Sequence, residues 1–388
     1  MFHFQTRIGV ASSTNVEPLA TRFTRGMRLK MEELKQEIID VCKKLGEKGL
    51  LVRTWGNVSC RVDKNTFLIT PSGIKYEDLT TNNIIEVKIK DLSYKGDILP
   101  SSEKAVHAAC YRVRPECNFI IHTHQVYATV AGTLGLKKIK TFDENDSRVV
   151  IPVASYALPG TDKLAENVAR RVRKYPENKG FIMANHGTVC LGTDSEDALQ
   201  VALDLEVMCS NFLIDNCKTD MRHCIQKGFC SHLENGEIVY DYNDTPLGIR
   251  RIHEYIYSKR PDVNYIIHNK SEAIMTVSRR ANHLRPLLDD FAQLVGFSVK
   301  IPSRDDGHER GSVHVKKNCN AVFAFNDGAF CLGATEEDAS AVALILDKGC
   351  IAHIAVMRFG EGHYLSVLDC IRMNRHYKKS YSKLADNK

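Results

Sequence analysis

Three histidines and a glutamate are the residues in this chain whose types and spacing could do chemistry. His122 and His124 flank Thr123, and His186 follows 62 residues after His124, between Asn185 and Gly187. Side chains alternate along a strand, so His122 and His124 fall on one face and can grip a single ion. His186 follows the apolar run Phe181-Ile182-Met183-Ala184, where a buried strand would leave its sheet and turn its next side chain into a pocket. Three imidazoles leave coordination positions open, which separates a catalytic zinc site from a closed structural one. Fifteen histidines in 388 residues make one His-x-His pair unsurprising by itself. Glu103 raises its significance. It ends the run Pro100-Ser101-Ser102-Glu103, beside a helical-looking stretch over 104–113. A carboxylate there can ligate the same ion or act next to it as a general acid/base. The expected cofactor is Zn2+ or another divalent metal.

Short strands and helices must position these groups. Helices are expected over 30–48, 102–113, 125–131, 162–173 and 196–214. Strands are expected over 58–62, 67–70, 84–88 and 180–184, with a further one ending at 122–124. The alternation suits an α/β fold of three layers, α/β/α, around a central mixed sheet.

The chain also repeats itself. Arg114-Pro115 through Ile120-Ile121-His122 recurs as Arg260-Pro261 through Ile266-Ile267-His268, shifted by 146 positions. Asn185-His186-Gly187 through Cys190-Leu191-Gly192 recurs as Asn326-Asp327-Gly328 through Cys331-Leu332-Gly333, shifted by 141. Each is followed by an acidic helix start, Asp194-Ser195-Glu196-Asp197 or Thr335-Glu336-Glu337-Asp338. The copies differ where chemistry would be done: Glu103 becomes Ile249, His124 becomes Lys270, His186 becomes Asp327, and only His268 survives. A lone histidine beside a lysine is a poor zinc site. The second copy, which lacks a counterpart of residues 31–95, is expected to be truncated and structural. The expected organisation is a disordered leader over 1–30, a catalytic domain over 31–216, a linker over 217–246, a degenerate repeat over 247–357 and a tail over 358–388.

Composition bounds the remaining classes. A content of 43% hydrophobic and 26% charged residues is ordinary for a globular chain with two modest cores. The net charge of +6 comes from scattered residues, so nucleic acid is not implied, and Arg170-Arg171-Val172-Arg173-Lys174 reads as a solvated helix face. Thirteen cysteines, odd in number and often set in apolar runs as at Cys110, Cys190 and Cys331, read as reduced core residues of a cytoplasmic protein. No cysteine pair has zinc-knuckle spacing. No apolar stretch is expected to approach the roughly 20 residues that cross a bilayer, so no membrane partner is expected.

Gly56-Asn57-Val58-Ser59, Thr70-Pro71-Ser72-Gly73, Pro100-Ser101-Ser102-Glu103, His122-Thr123-His124, Gly160-Thr161 and Asn185-His186-Gly187 occur in one order. In that order the chain resembles the class II aldolase/adducin family, which includes the fuculose-phosphate aldolases, over about residues 31–216, and more weakly over 247–357. The resemblance implies a class II aldolase-like α/β/α domain, tandemly repeated. It implies His122, His124 and His186 as zinc ligands, with Glu103 as a ligand that doubles as acid/base. It places the substrate phosphate at Thr54, Asn57, Ser72, Gly73, Ser101 and Ser102, types whose hydroxyls and close backbone amides suit an anion at a helix start. The implied reaction is retro-aldol cleavage of a phosphorylated ketose to dihydroxyacetone phosphate or a relative plus an aldehyde. Epimerase, dehydratase and decarboxylase chemistry on the same metal, or a non-catalytic adducin-like scaffold, are the alternatives. A homo-oligomer is implied, and a fused second copy could take a neighbouring subunit's place. Two departures stand out. The usual small loop residue is Trp55, and the tyrosine acid of the fuculose-phosphate enzymes has no clear match, which leaves Tyr156 and Asp143 as candidates for the leaving-group acid.

Overall fold

The computed structural model describes residues 19–51, 53–303 and 313–380. The first half is built on an eight-stranded sheet. Its strands are β1 (Asn57–Arg61), β2 (Thr66–Ile69), β3 (Ile85–Lys88), β4 (Phe119–Thr123), β5 (Lys138–Phe142), β6 (Arg148–Ala154), β7 (Gly180–Met183) and β8 (Gly187–Gly192). They lie in the order β3-β2-β1-β4-β8-β7-β6-β5, antiparallel throughout except for the β6–β7 pair. On one face pack α2 (Lys104–Val113) and α4 (Asp162–Lys174), burying Val106, Cys110, Leu164 and Val168 against Phe181 and Val189. On the other pack α1 (Leu19–Glu47), α3 (Val126–Ala131) and α5 (Ser195–Cys217). The expected three-layer α/β/α arrangement is what the chain adopts. Residues 19–30 of the expected leader belong to α1, while 1–18 lie outside the described residues.

The second half repeats the centre of this design. β9 (Ser231–Glu234), β10 (Glu237–Tyr240), β11 (Tyr265–Asn269), β14 (Ala321–Phe323) and β15 (Ala329–Gly333) form a sheet of order β10-β9-β11-β15-β14, which parallels β2-β1-β4-β8-β7. The short strands β12 (His283–Leu284) and β13 (Val299–Lys300) pair separately. The helices are α6 (Leu247–Lys259), α7 (Glu272–Arg280), α8 (Asp289–Leu294), α9 (Glu336–Phe359) and α10 (Val367–Ser380).

Segment 217–246 is therefore not a linker, and the second copy does keep a counterpart of the first hairpin. Asn235 and Gly236, at φ of 51° and 85°, form the tight two-residue turn that right-twisted strands favour. The match extends to side chains. Ser231 Oγ lies 2.7 Å from His253 Nδ1 and 3.0 Å from Tyr257 Oη, as Ser59 Oγ lies 2.6 Å from His107 Nδ1 and 2.8 Å from Tyr111 Oη. The expected tail is likewise part of the fold through residue 380. Cys370 and Met373 of α10 bury with Ala292 against Tyr156 and Leu158, and residues 381–388 lie outside the described residues.

One apolar core joins the halves, running from α1 and α5 through α3 to α7 and α9. By length and composition α9 would suffice to cross a bilayer, contrary to the reading of the sequence, but 78% of its most apolar stretch is buried in this core. It also carries buried Asp347 and Lys348.

Candidate metal centre and its surroundings

Antiparallel register gathers the candidate ligands at one end of the first sheet. Asn57 at the start of β1 pairs with His122 near the end of β4, Thr123 pairs with Thr188, and Met183 at the end of β7 pairs with Gly187. His124 lies one residue past β4, and His186 sits in the β7–β8 turn behind Asn185, whose φ is 61°. Asn and Asp tolerate this left-handed conformation best among non-glycine residues. Glu103 stands at the N-cap position of α2, and its side chain makes no capping hydrogen bond.

The four side chains converge. One nitrogen from each of His122, His124 and His186 lies within 4.8 Å of the others. Glu103 Oε2 is 2.7 Å from His122 Nε2, and its Oε1 is 2.7 Å from His186 Nε2. His122 Nε2 and His124 Nε2 are 3.1 Å apart. His122 Nδ1 donates to the Thr188 carbonyl at 2.7 Å, which leaves Nε2 as the lone-pair atom. Glu103 Oε1 and His186 Nε2 are buried, close, and make no hydrogen bond, the relation of two donors aimed at a common cation. Three nitrogens and a carboxylate suit zinc or a similar ion.

Electrostatics favour positive charge at this point. Burial opposes ionisation of Glu103, but His122 and His186 outweigh it and hold the carboxyl well below its ordinary range. Burial also disfavours the His186 imidazolium, yet Asp289 and Glu103 on either side raise its pKa well above the usual value. Burial pushes His124 down to about 4, against the pull of Asp290.

Asn57 is buried and bridges the site to the sheet, donating to Glu103 Oε2 at 3.3 Å while its carbonyl faces His107 Nε2. Ser101 is buried, and its Oγ accepts from the Glu103 amide at 3.2 Å. Ser72 lies on the neighbouring segment, because the Pro71–Pro100 bridge lays residues 70–72 beside 99–101. Gly73 follows with φ of 76°. Thr54 is half-buried in the turn before β1, next to buried Trp55. Ser102 is exposed and lines a cavity of about 420 Å³ with Gly160, Thr161, Gln293, Arg372 and His376. Of the two acid candidates, Asp143 closes the β5–β6 hairpin by accepting from Asn145 and Ser147. Three strands separate β5 from β4, so Asp143 does not belong to the centre. Tyr156 has a buried hydroxyl without a hydrogen-bond partner, and its ring faces His363 at 6.1 Å.

Three residues escape the reading of the sequence. Asp289 Oδ2 lies 2.6 Å from His186 Nδ1, and Asp290 Oδ2 lies 3.7 Å from His124 Nδ1. Lys348 pairs with Asp290 and donates to the His124 carbonyl at 3.2 Å. All three come from the second half. A signal was present in two adjacent acids inside Leu287-Leu288-Asp289-Asp290-Phe291, and in a lysine within an otherwise apolar helix, since buried charges persist only when paired. In the second copy the equivalent point is an ion pair, Lys270 to Asp327 at 2.6 Å, beside His268. Among the described residues no second group of three metal-ligating side chains occurs.

The sequence is similar to those of known proteins. The family model of the class II aldolase and adducin N-terminal domain matches residues 36–213 and again 226–354. The L-fuculose phosphate aldolase of Haemophilus influenzae is 36% identical over 185 residues, 47% of this chain and 82% of the relative. A 5-methylthioribulose-1-phosphate/5-deoxyribulose-1-phosphate aldolase of Escherichia coli is 34% identical over 187 residues, 47% and 85% of the two chains. A 3-oxo-tetronate 4-phosphate decarboxylase of Haemophilus influenzae is 31% identical over 183 residues, 44% and 83%. The chain therefore belongs to the class II aldolase and adducin family, whose domain it carries twice.

Proposed function

We propose that the chain is a divalent-metal-dependent lyase that cleaves a phosphorylated ketose to dihydroxyacetone phosphate, or a relative, and an aldehyde. The observation that carries this reading is the buried convergence of Glu103 with His122, His124 and His186. These four residues would hold the ion, with zinc the best match to their donor set. When bound, a divalent cation polarises a ketose carbonyl and stabilises developing negative charge, a contribution of several kcal/mol.

The chain's own residues supply the rest. Glu103 moves the proton, and Asn57 fixes one of its oxygens. Thr54, Asn57, Ser72, Gly73, Ser101 and Ser102 receive the phosphate beside the start of α2, where backbone amides favour an anion. During cleavage the hydroxyl that becomes the aldehyde carbonyl gives up its proton, and in the reverse condensation the aldehyde oxygen takes one back, with Tyr156 as the donor. Burial and nearby Asp289 raise its pKa, so it stays protonated and able to donate. Thirteen free cysteines fit a reducing, cytoplasmic setting, and a homo-oligomer remains part of this reading.

The test is product analysis on the metal-loaded full chain with a panel of pentulose and hexulose 1-phosphates. Release of a triose phosphate and an aldehyde is expected, with loss in Glu103→Gln. C4 inversion, loss of water, or carbon dioxide release from a keto-acid phosphate without triose would replace cleavage by epimerase, dehydratase or decarboxylase chemistry. Absence of any turnover would favour a scaffold.

A further inference from the structure

We infer that the second repeat is a working part of the metal centre: Asp289, with Asp290 in support, positions the imidazoles of His186 and His124 from behind. This inference rests on the metal-binding reading of the first repeat. A ligating histidine needs its second nitrogen held so that the ring presents the correct atom in the correct direction. His122 is held from within its own half, by the Thr188 carbonyl. His186 is held from the other half. Asp289 Oδ2 receives the Nδ1 proton at 2.6 Å, both groups are buried, and this leaves Nε2 facing Glu103.

Backbone contacts lock the same two segments. The Asp289 amide donates to the Asn185 carbonyl at 3.0 Å, and the Asn185 side chain donates to the Leu287 and His363 carbonyls at 2.7 and 2.6 Å. The position and the tautomer of His186 are thus both set by residues outside the first repeat. His124 is supported more loosely. Its Nδ1 lies 3.7 Å from Asp290, which is shared with Lys348, so Asp290 acts mainly through its charge.

Charge gives the second argument. Glu103, Asp289 and Asp290 are three buried carboxylates against one buried lysine, Lys348, an excess of negative charge facing the three imidazoles. Uncompensated negative charge is costly in a protein interior, and a bound divalent cation offsets it. Acids kept only for packing would not be aimed at a neighbouring repeat's histidines. The second copy has no such ligand set of its own, yet it places these two acids at the first copy's site.

The experiment uses the full chain, stripped and reloaded with Zn2+ or Co2+, and compares Asp289→Asn, Asp290→Asn and the exposed control Asp244→Asn. Metal affinity is read by chelator competition, ring geometry by the visible Co2+ spectrum, and folding by thermal melting of the metal-free protein. Asp289→Asn should weaken metal binding about 10- to 100-fold and alter the cobalt spectrum, the effect of losing a carboxylate behind a ligating histidine. Asp290→Asn should have a smaller effect of the same sign, and Asp244→Asn none. Wild-type affinity within twofold in Asp289→Asn overturns the inference. Should that variant not fold, unchanged affinity and spectrum in Asp290→Asn would overturn it. Failure of the unmodified chain to bind either metal would instead remove the reading on which the inference depends.

Discussion

Replacing Gly187 by alanine perturbs the metal centre from within its scaffold. A Cβ at this position would sit 2.9 Å from His122 Cε1 and 3.4 Å from His124 Cδ2, and closer still to the Thr123 carbonyl. Contacts under 3.0 Å are essentially never seen for real Cβ atoms, so something must shift. The carbonyl is backbone, held where Thr123 pairs with Thr188, and cannot turn aside. Either the β4–β8 pair separates by several tenths of an ångström or the His122 ring moves. Overpacking of this kind costs about 1–3 kcal/mol. Metal sites tolerate ligand errors of only about 0.2 Å, so affinity should fall about tenfold or more. At saturating metal, a tenfold loss removes about 1.4 kcal/mol of metal-dependent stabilisation. Chelator competition and melting curves with and without Zn2+ measure the two parts separately. Gly46→Ala is the control, because it lies in α1 with nothing within 4 Å of the new Cβ, and should be neutral or stabilise slightly. Unchanged metal affinity together with unchanged melting in Gly187→Ala would refute the close packing of β8 on the histidines.

Lys348→Met leaves Asp290 buried without its partner, and should destabilise the chain by about 3–5 kcal/mol in chemical denaturation; a loss under 1 kcal/mol would mean the pair is not buried as described. His253 has its pKa pushed down to about 3 by burial, with His268 adding to the effect. It stays neutral in the folded chain while the unfolded chain takes up a proton below about pH 6.5, so stability falls as pH drops from about 6.5 towards 3. His253→Gln should flatten that slope in denaturant midpoints measured across this range, and an unaltered slope would contradict the burial. Cys224 is the one cysteine that is not buried, so a single thiol should react quickly with Ellman's reagent and none in Cys224→Ser. Several fast thiols would show that the core is open.

Much of this was legible because the first repeat follows simple periodicities. The apolar strand ending at His122, the alternation that pairs His122 with His124, and the acidic caps before α5 and α9 each have a local physical cause. Asp194 and Thr335 do accept the amides of Asp197 and Asp338. What escaped was set by longer range. β5 alternates exposed and buried residues over Lys138–Phe142, but its sequence Lys-Ile-Lys-Thr-Phe does not alternate polar and apolar, it lies at a sheet edge, and only its pairing with β6 makes it a strand. The β9–β10 hairpin carried its signal in Asn235-Gly236, inside a segment whose half-buried, half-polar strands resemble a linker. Asp289 and Asp290 are the instructive omission. Their roles depend on α8 packing against the first sheet at the β7–β8 turn, some 100 residues away in sequence, which no local pattern encodes.

The central claim is that this chain seats one divalent cation among Glu103, His122, His124 and His186. The most direct measurement is metal stoichiometry by elemental mass spectrometry after equilibration of the full chain with Zn2+ and removal of excess. The account predicts one equivalent per chain, falling to near zero in a folded His122→Ala, His186→Ala double variant. Less than about a tenth of an equivalent in the folded parent chain, or equal binding by the double variant, would contradict it.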